Sequence, residues 1–517
     1  MAAMRFPRAL PFLEWAPAAL RDREGLRHDL AAGGISAVIV LPQALAFSRL
    51  AGMPPQAGLY TAIFLAAVAA LFGSSRHLLS GPNTAMAMMI GVAMAPFAAA
   101  GSPEYLGYVA VLTLSVGALQ LLLGAVRAGG ILNFIPASAI EGITVAVAAT
   151  LLLSQAMPIA GLTPVPGYPA WKETWVVLLG AHNLHPVSVA LFAVTLAAGF
   201  LARRFGRGFV ARAYLAVALI AGTAVSWLLG KLFGAGNLGV YLLGDAPIHL
   251  WPFAAPPVLD PLARSAMEHA VPDILALAFL GLLQTVVISR AAADESGQPV
   301  DINQDIRAQG LGNLAVACLG GFAGGGSFNR TKAHQEAGAR TPLAAIFSAV
   351  ILGALALAMP RAIAWIPYAV MAGVLVLVGV NLIDLRRIRV LLEDREQQVI
   401  FLVVALSGVV ISLTFAVFVG LAIPVALYLR HMAHPVLRLE EREGETHAHL
   451  DGALFFGSVP AVVRLLRAQG ERSGFRDTLH LHLEDIAYLD GDGQRMLREE
   501  AHRWDAAGGR LLITGRE

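Results

Sequence analysis

Cysteine, lysine and charge are all scarce in this chain. Of its 517 residues 14% are charged, one is a cysteine, and the lysines number three, Lys172, Lys231 and Lys332. The single cysteine, Cys318, excludes an intramolecular disulfide framework, and we interpret it as a packing residue. The net charge of +2 and the scatter of basic residues over the ends of apolar runs argue against nucleic-acid binding.

Enzyme motifs and a cleavable signal are missing as well. No HExxH, GxSxG or Walker sequence occurs and no carboxylates pair at usable spacing, so a membrane enzyme is the least favoured class. His447, His449, His480 and His482 have no cysteine nearby. We interpret them as strand-face residues rather than zinc ligands, and we expect no metal and no other cofactor. The first 30 residues lack the apolar core of a signal peptide.

What is abundant is apolar sequence. Hydrophobic residues make up 57% of the chain and the mean hydropathy is +0.67, as in membrane proteins. A bilayer crossing needs about 20 apolar residues, and we predict an all-α polytopic domain of about fourteen segments, some of them short. The segments are 31–51, 57–73, 82–97, 105–126, 134–152, 186–202, 212–230, 272–291, 306–322, 328–340, 342–359, 366–382, 397–412 and 414–430.

Arginine placement predicts the orientation, because cytoplasmic loops retain positive charge. Three arginine groups fall on one side of a fourteen-span chain: Arg21, Arg23 and Arg27; Arg203, Arg204, Arg207 and Arg212; and Arg386, Arg387 and Arg389. The N-terminal segment 1–30 and both termini are therefore expected in the cytoplasm, and the connection 231–271 outside. The preference for arginine over lysine favours a prokaryotic plasma membrane.

A faint internal repeat relates the two halves of the apolar region. Gln43, Ser48 and Arg49 recur as Gln284, Ser289 and Arg290 at one constant offset, and Asn83-Thr84 recurs in "NRT" at 329–331 at nearly the same offset. An odd number of segments per half inverts the second half relative to the first. We therefore predict inverted repeats over 31–230 and 272–430.

Two glycine-rich stretches, "LLSGP" (78–82) and "GGFAGGGS" (320–327), break the run of apolar helical segments, and each ends at a predicted helix start. Irregular backbone at membrane depth must be buried in protein or line a wet cavity. In an inverted repeat both half-helices point their positive N-terminal ends at one mid-membrane pocket, which favours an anion.

Charged residues follow the second break. Inserting the charged side chain of Arg330 at the membrane centre would cost about 2.5–3.5 kcal/mol of free energy unless a ligand or a partner compensates the charge. A transported anion is one interpretation, and a permanent ion pair with Glu141 or Glu336 is the other. Lys332 and His334 either face a cytoplasmic vestibule or, for Lys332, extend to the membrane surface.

Residues 440–517 differ in character. Runs such as "TLHLHLED" and "RLLITG" predict strands, whereas "PAVVRLLRAQ" and "GQRMLREEAHRWDAA" predict amphipathic helices. This is the pattern of a small α/β domain.

Five stretches resemble the sulfate permease (SulP) family of anion transporters, and the tail resembles its STAS domain. They are "LPQALAFSRLAGMPPQAGLY" (41–60), "SGPNTAMAM" (80–88), "PASAIEGIT" (136–144), "DINQDIRAQGLGN" (301–313) and "GGGSFNRTKAHQEAGARTPLA" (324–344). The resemblance implies a homodimer whose core domain moves against a gate domain like an elevator, and the transport of sulfate, bicarbonate, chloride or dicarboxylates. Motif matching implies an anion site made of Gln43, Phe47, Thr84, Ala85, Gln284, Phe328, Asn329 and Arg330.

Departures from the family pattern refine these expectations. Gln284 stands where the family usually has an acid, and an amide neither titrates nor neutralises a cation, so sodium coupling is disfavoured. Glu141 is the candidate for proton coupling; an interfacial acid that pairs with Arg127 or caps a helix is the alternative. Phe47 replaces a frequent tyrosine and favours larger or less hydrated anions.

The tail departs from the family as well. It reads "LDGDG" at 489–493, which excludes phosphorylation at the turn where relatives carry a serine. The sequence ends after what looks like a central strand, so this tail is either minimal or completed by a partner chain.

The predicted function is secondary active transport of a small anion: proton-coupled symport of a dicarboxylate such as fumarate, or of sulfate or bicarbonate. An uncoupled anion channel or exchanger is the alternative that Gln284 favours. Transport of uncharged nucleobases is disfavoured by Arg330.

Overall fold

The computed structural model describes residues 11–130, 135–162, 170–180, 184–233, 238–243, 253, 255–258, 260–433, 435–442, 445–475 and 477–515. The side chains of Phe328, Asn329, His431, Arg442 and Ser473 are outside that description. The chain divides into two compact units, 1–420 and 421–517.

In its described residues, the first part of the chain, up to the connection near residue 240, is helical apart from one short strand. Its elements are α1 (Phe12–Arg21), α2 (Arg23–Leu50), α3 (Pro55–Tyr60), a π-helical turn (Thr61–Leu65), α4 (Ala66–Phe72), β1 (Ser80–Gly81), α5 (Thr84–Met94), α6 (Pro103–Ala125), α7 (Ala137–Ser154), α8 (Ala156–Ala160), α9 (Ala170–Leu179), α10 (Pro186–Phe205), α11 (Phe209–Arg212) and α12 (Tyr214–Phe233).

The part that follows is built in the same way. Its elements are α13 (Pro261–His269), α14 (Val271–Ser296), α15 (Ile302–Cys318), β2 (Gly325–Gly326), α16 (Phe328–Glu336), α17 (Leu343–Ala358), α18 (Pro360–Ala364), α19 (Tyr368–Leu382), α20 (Leu385–Leu391), α21 (Arg395–Val410) and α22 (Leu413–Met432).

Every one of the fourteen predicted segments contains a helix. Among the described residues nine helical stretches are long and apolar enough to cross a membrane, which makes this a helical polytopic membrane protein. Five of the predicted segments hold helices too short for that criterion, namely α5, α15, α16, α17 and α21.

Helical structure extends beyond two predicted boundaries. The first long helix, α2, begins at Arg23, ahead of the predicted span 31–51, because the side chain of Asp22 accepts hydrogen bonds from the N–H groups of Glu24 and Gly25 and so caps the helix. Much of the predicted N-terminal segment 1–30 is therefore helical. The connection 231–271 also contains helix α13, whereas Asp245 lies outside the described residues.

Small residues allow the helices to pack closely. A Cβ atom on Gly117 of α6 would lie 2.8 Å from the backbone N of Leu314, and one on Gly310 of α15 would lie 2.5 Å from that of Leu121. Helices α6 and α15 therefore touch backbone to backbone, as membrane helices do where glycines face each other. Close pairs also form between α2 and α17, α7 and α21, and α10 and α19.

The C-terminal unit is an α/β domain, as predicted from the sequence. Its elements are β3 (Val436–Arg442), β4 (Glu445–Leu454), α23 (Val459–Ser473), β5 (Thr478–His482), β6 (Ile486–Leu489), α24 (Gly491–Ala506) and β7 (Arg510–Thr514). The sheet order is β3-β4-β5-β7, with β6 paired to the end of β4. Strand β7 pairs with β5 alone among the described residues, so it forms an edge and not a central strand of this sheet. The core is centred on buried Trp504, Leu450 and Leu481.

Candidate functional site

The two glycine-rich breaks meet in a short antiparallel ladder. Strand β1 pairs with β2 in the register Ser80 with Gly326 and Gly81 with Gly325. A Cβ atom at Gly324 would lie 2.5 Å from the carbonyl oxygen of Gly81, so only glycine allows this approach. Because the ladder is antiparallel, the chain leaves it at opposite ends to enter α5 and α16, and both helix starts flank the same point.

Buried side chains satisfy the irregular backbone around this ladder. Asn313 accepts from the N–H of Gly324 (3.0 Å) and donates to its carbonyl (3.1 Å), and Gln309 donates to the same carbonyl (3.0 Å). The N–H of Ala323 donates to the hydroxyl of Thr113 (3.0 Å). These backbone groups of the non-helical segment therefore have hydrogen-bond partners inside the protein, which a position inside a bilayer would require.

A cavity of about 700 Å³ lies beside the ladder. Five of the eight predicted site residues line it: Gln43, Phe47, Thr84, Ala85 and Gln284. The predicted site residues of α2, α5 and α14 thus come together.

The same cavity reaches a more exposed rim. Asp384 and Arg387 line it too, and their side chains are 49% and 60% exposed, whereas Thr84 is only 6% exposed. The cavity thus runs from a buried floor beside the ladder to solvent-exposed charged residues.

Hydrogen bonds fix the orientation of the Gln284 amide. The backbone N–H of Met86 donates to Asn83 Oδ1 (2.9 Å), so the Asn83 amide must present its Nδ2 to Gln284 Oε1, at 2.9 Å. The Gln284 oxygen is thereby used as an acceptor, and its NH₂ group, which has no protein partner among the described residues, is left as a donor at the cavity. A donor at this point suits an anion and does not suit a metal cation.

Arg330 does not line the cavity. Its guanidinium is buried, only 2% exposed, and lies behind β1, where Nη2 donates to the carbonyl oxygen of Pro82 at 2.6 Å. Within the described part of the chain neither Glu141 nor Glu336 pairs with it, and its Nε and Nη1 atoms have no hydrogen-bond partner. The positive charge of Arg330 therefore sits directly behind the start of α5, and no carboxylate of the described residues pairs with it.

The residues near Arg330 in α16 lie in different environments. The side chains of Phe328 and Asn329 lie outside the described residues, so their predicted contacts with an anion stay predictions. Lys332 is exposed. His334 is fully buried, and its Nδ1 lies 2.7 Å from the hydroxyl of Ser36 in α2, so it packs inside the protein and does not face a vestibule.

Glu141 lines the cavity from helix α7. Its carboxylate is 3.7 Å from Nη1 of Arg387, and its side chain is 12% exposed. The partner is thus Arg387 and not Arg127, the alternative considered from the sequence. The pair links α7 to α20 at the rim of the cavity.

The comparisons with known proteins identify the family. Residues 26–406 match the sulfate permease family. This chain belongs to the sulfate permease family.

Two relatives illustrate the likeness. The chain is 31% identical over 433 residues to a Mycobacterium tuberculosis protein named "Probable sulfate transporter", covering 81% of this chain and 74% of that protein. It is 28% identical over 475 residues to the bicarbonate transporter BicA of Picosynechococcus, covering 86% of this chain and 81% of BicA.

Solved structures share the fold of this family member. The transmembrane domain of a cyanobacterial BicA superposes with a TM-score of 0.66 at 26% identity, covering 78% of this chain and 98% of that domain. The murine solute carrier 26 family member A9 gives a TM-score of 0.84 at 17% identity over 98% of this chain and 88% of that one, a likeness of fold alone.

Sequence reasoning missed the residues that support the site in this family member. Asp305, Gln309 and Asn313 stand four residues apart on α15 and face the breaks. Asp305 accepts from the N–H of Ser74 (2.6 Å) and from the hydroxyl of Ser289, which joins the β1 approach to α14. The signal was present as polar residues at every fourth position of a buried helix, which predicts one polar stripe.

Proposed function

We propose that this protein transports small anions across the membrane by exposing the cavity beside the β1–β2 ladder to each side in turn. The observation that carries the proposal is the oriented amide of Gln284, which presents a hydrogen-bond donor to the cavity. A transporter of cations would need the opposite polarity at this point.

Positive potential at the cavity floor supports an anion. Helix α5 starts at Thr84 and the chain enters α16 through Gly326 and Ser327, all of which line the cavity. The first turn of each helix carries a partial positive charge. Arg330 adds a full charge behind β1 with no carboxylate paired to it among the described residues. In a surrounding of low dielectric constant these charges attract an anion without direct contact.

The substrate we propose first is sulfate or bicarbonate, the anions named for the relatives. Neutral donors such as Gln43, Thr84 and Gln284 suit an oxyanion, which accepts several hydrogen bonds. A dicarboxylate such as fumarate is the next substrate to test, because the apolar side chain of Phe47 lines the cavity and would contact a carbon skeleton.

The helix packing supports an inverted repeat with a moving core. Helices α2, α4, α6, α14, α15 and α17 form one connected group, and α7, α10, α12, α19 and α21 form a second, with α2 also contacting α12 and α19 across the two groups. The cavity lies between the groups, with Gln284 on one side and Glu141 on the other. We propose that the first group is the core, that it slides against the second as an elevator, and that all fourteen segments are embedded in the membrane.

Orientation follows from the cavity rim. Arg386 and Arg387 line the exposed end, and loops rich in arginine are retained in the cytoplasm. We therefore propose that the structure is open to the cytoplasm, that both termini are cytoplasmic and that the host membrane is a prokaryotic inner membrane.

We further propose the two repeats as 31–230 and 272–430, an outer connection 231–271, a STAS-like domain over 440–517, and a homodimer.

Coupling to protons is proposed through Glu141. A carboxylate at the cavity rim beside Arg387 can exchange a proton with solvent when the ion pair opens. The second candidate function is uncoupled exchange or channel-like flux, which the same ion pair favours because a permanently paired Glu141 would carry no proton.

The test is uptake into proteoliposomes that contain the full chain. Radiolabelled sulfate, bicarbonate and fumarate are offered with an imposed proton gradient, a sodium gradient or neither, for the wild type and for Glu141→Gln. We expect one anion to enter faster under the proton gradient, and we expect Glu141→Gln to lose that stimulation but to keep exchange of labelled for unlabelled anion.

Each result decides between the candidates. Wild-type uptake that ignores both gradients establishes the exchanger or channel. Uptake that is stimulated by the sodium gradient contradicts the inference that Gln284 disfavours sodium coupling. No uptake of any of the three anions above that of empty liposomes overturns anion transport itself.

A further inference from the structure

One face of the C-terminal sheet is made of histidines. Along β4, Glu445, His447 and His449 alternate with inward-facing residues that include buried Ala448 and Leu450. Along β5, His480 and His482 alternate with buried Leu479 and Leu481 in the same way. The alternation of a strand puts the leucines in the core and all four histidines on the opposite face.

The pairing of β4 with β5 brings these side chains together. His447 stands beside His480 in the parallel register, and their rings stack with centroids 4.6 Å apart. His480 Nε2 lies 2.6 Å from Glu445 Oε2. One ligating atom from each of Glu445, His447 and His480 lies within 4.8 Å of the others.

A second set of hydrogen bonds orients the cluster from outside. His447 Nδ1 is 2.9 Å from His482 Nε2, and His482 Nδ1 is 2.8 Å from the hydroxyl of Thr514 on β7. If His447 donates through Nδ1 and His482 donates through Nδ1, both rings are neutral and every hydrogen bond is satisfied. This arrangement leaves Nε2 of His447 with its lone pair, the form in which imidazole binds metals.

We propose that Glu445, His447 and His480 bind one borderline divalent transition-metal ion of the zinc class, with His482 as the outer residue that orients His447. Two imidazoles and one carboxylate are a ligand set that zinc uses. Ligating atoms about 2.0–2.1 Å from a tetrahedral zinc ion are roughly 3.4 Å apart. Rotation of the three side chains, of which Glu445 is exposed and the histidines are partly buried, brings the ligating atoms to this distance. Three protein ligands leave one position for water or another ligand.

The ligand atoms come from a rigid part of the domain. The backbones of β4 and β5 are held by the ladder from Thr446–Leu479 to His449–His482, and the buried leucines anchor the opposite face. A metal ion bound here would join two strands and stabilise this domain, since a ligand that binds only the folded state shifts unfolding toward higher temperature. All three ligands belong to the C-terminal unit.

The test measures zinc bound to the full chain, purified without a polyhistidine tag and stripped with chelator. We compare the wild type, a His447→Ala/His480→Ala double variant, His482→Ala and His502→Ala by equilibrium dialysis. His502 is an exposed residue of α24 and serves as the matched control. We expect one tight zinc ion per chain in the wild type and in His502→Ala, a 10–100-fold loss of affinity in His482→Ala, and a greater loss in the double variant.

Two further readouts keep the test independent of folding. Circular dichroism of the metal-free variants must match the wild type, and Co²⁺ added to the wild type should give the visible d–d absorption of a low-coordinate nitrogen and oxygen site. The proposal is overturned if the wild type binds no zinc beyond the double variant, or if Co²⁺ shows only the spectrum of the hydrated ion.

Discussion

The amide of Asn83 donates to Gln284 Oε1 across 2.9 Å and so leaves the amino group of Gln284, a residue that lines the cavity, as a hydrogen-bond donor. A carboxylate in place of this amide would still accept from Asn83 but would place a negative charge at the anion site. Two like charges about 6 Å apart repel by roughly 3 kcal/mol at an effective dielectric constant near 20. We therefore expect Gln284→Glu to raise the KM for anion uptake about 100-fold.

The control for this prediction is Gln494→Glu, the same change at an exposed position of α24. Uptake kinetics at neutral pH distinguish the two variants. An unchanged KM in Gln284→Glu would mean that the anion does not approach Gln284.

Arg330 is buried, and its charge has no carboxylate partner among the described residues, which predicts opposite effects on transport and stability. Replacing a buried charge that lacks a partner by an apolar side chain of similar length removes a desolvation cost and is often neutral or stabilising. We expect Arg330→Met to abolish anion uptake and to unfold at the same temperature as the wild type or higher. Thermal unfolding in detergent and uptake into proteoliposomes measure the two effects.

Arg361→Met, a change at an exposed position, is the control for loss of an arginine as such. Full uptake by Arg330→Met would assign Arg330 a structural role only. A marked fall in its unfolding temperature would show that the hydrogen bond to Pro82 outweighs the desolvation cost.

Gly58 lies at a close contact between α2 and α3. A Cβ atom at Gly58 would lie 2.0 Å from the carbonyl oxygen of Ala44 and 2.2 Å from the hydroxyl of Ser48. We expect Gly58→Ala to lower the free energy of unfolding by about 1–3 kcal/mol, the usual cost of overpacking. Gly34→Ala is the control, because its Cβ would meet no atom closer than 3.8 Å. Equal unfolding temperatures for the two variants would contradict the predicted clash.

Asp490 predicts a pH dependence in the C-terminal domain. It caps α24, and backbone hydrogen bonds, first from Gly493 and then from Phe456, hold the pKa of its carboxyl below the usual range. A carboxyl with a lowered folded-state pKa stabilises the fold fully above its unfolded pKa of about 3.9 and loses this contribution as the pH falls through the folded value.

We therefore expect Asp490→Asn to increase hydrogen exchange in α24 at pH 7 and to differ less from the wild type near pH 3. Asp492→Asn changes a neighbouring acid that pairs with Arg495 and does not cap the helix, so it should leave exchange at the helix start unchanged. Equal exchange in Asp490→Asn and the wild type at pH 7 would show that the charge of Asp490 is dispensable.

The sequence predicted the helices well because a bilayer imposes their length and composition directly. Gln43 and Phe47 were also predictable together, since four residues separate them on one helix face. The direction in which the Arg330 side chain points could not be predicted from the sequence. It depends on the approach of Gly81 to Gly325, a contact between residues far apart in the chain. The histidine face followed from alternation in β4 and β5, whereas the neighbours of each histidine depend on the register between the strands.

The β1–β2 ladder also sets an order of events during synthesis. Ser80 and Gly81 leave the ribosome about 240 residues before their partners Gly325 and Gly326 exist. At about 5–20 residues per second this interval is on the order of 10–50 s. Throughout it, the backbone groups of β1 have no strand to pair with, and lipid cannot replace one. The backbone groups of β1 in the nascent first half must therefore form hydrogen bonds with water or with the insertion machinery. The anion site can form only when the second half has been synthesised.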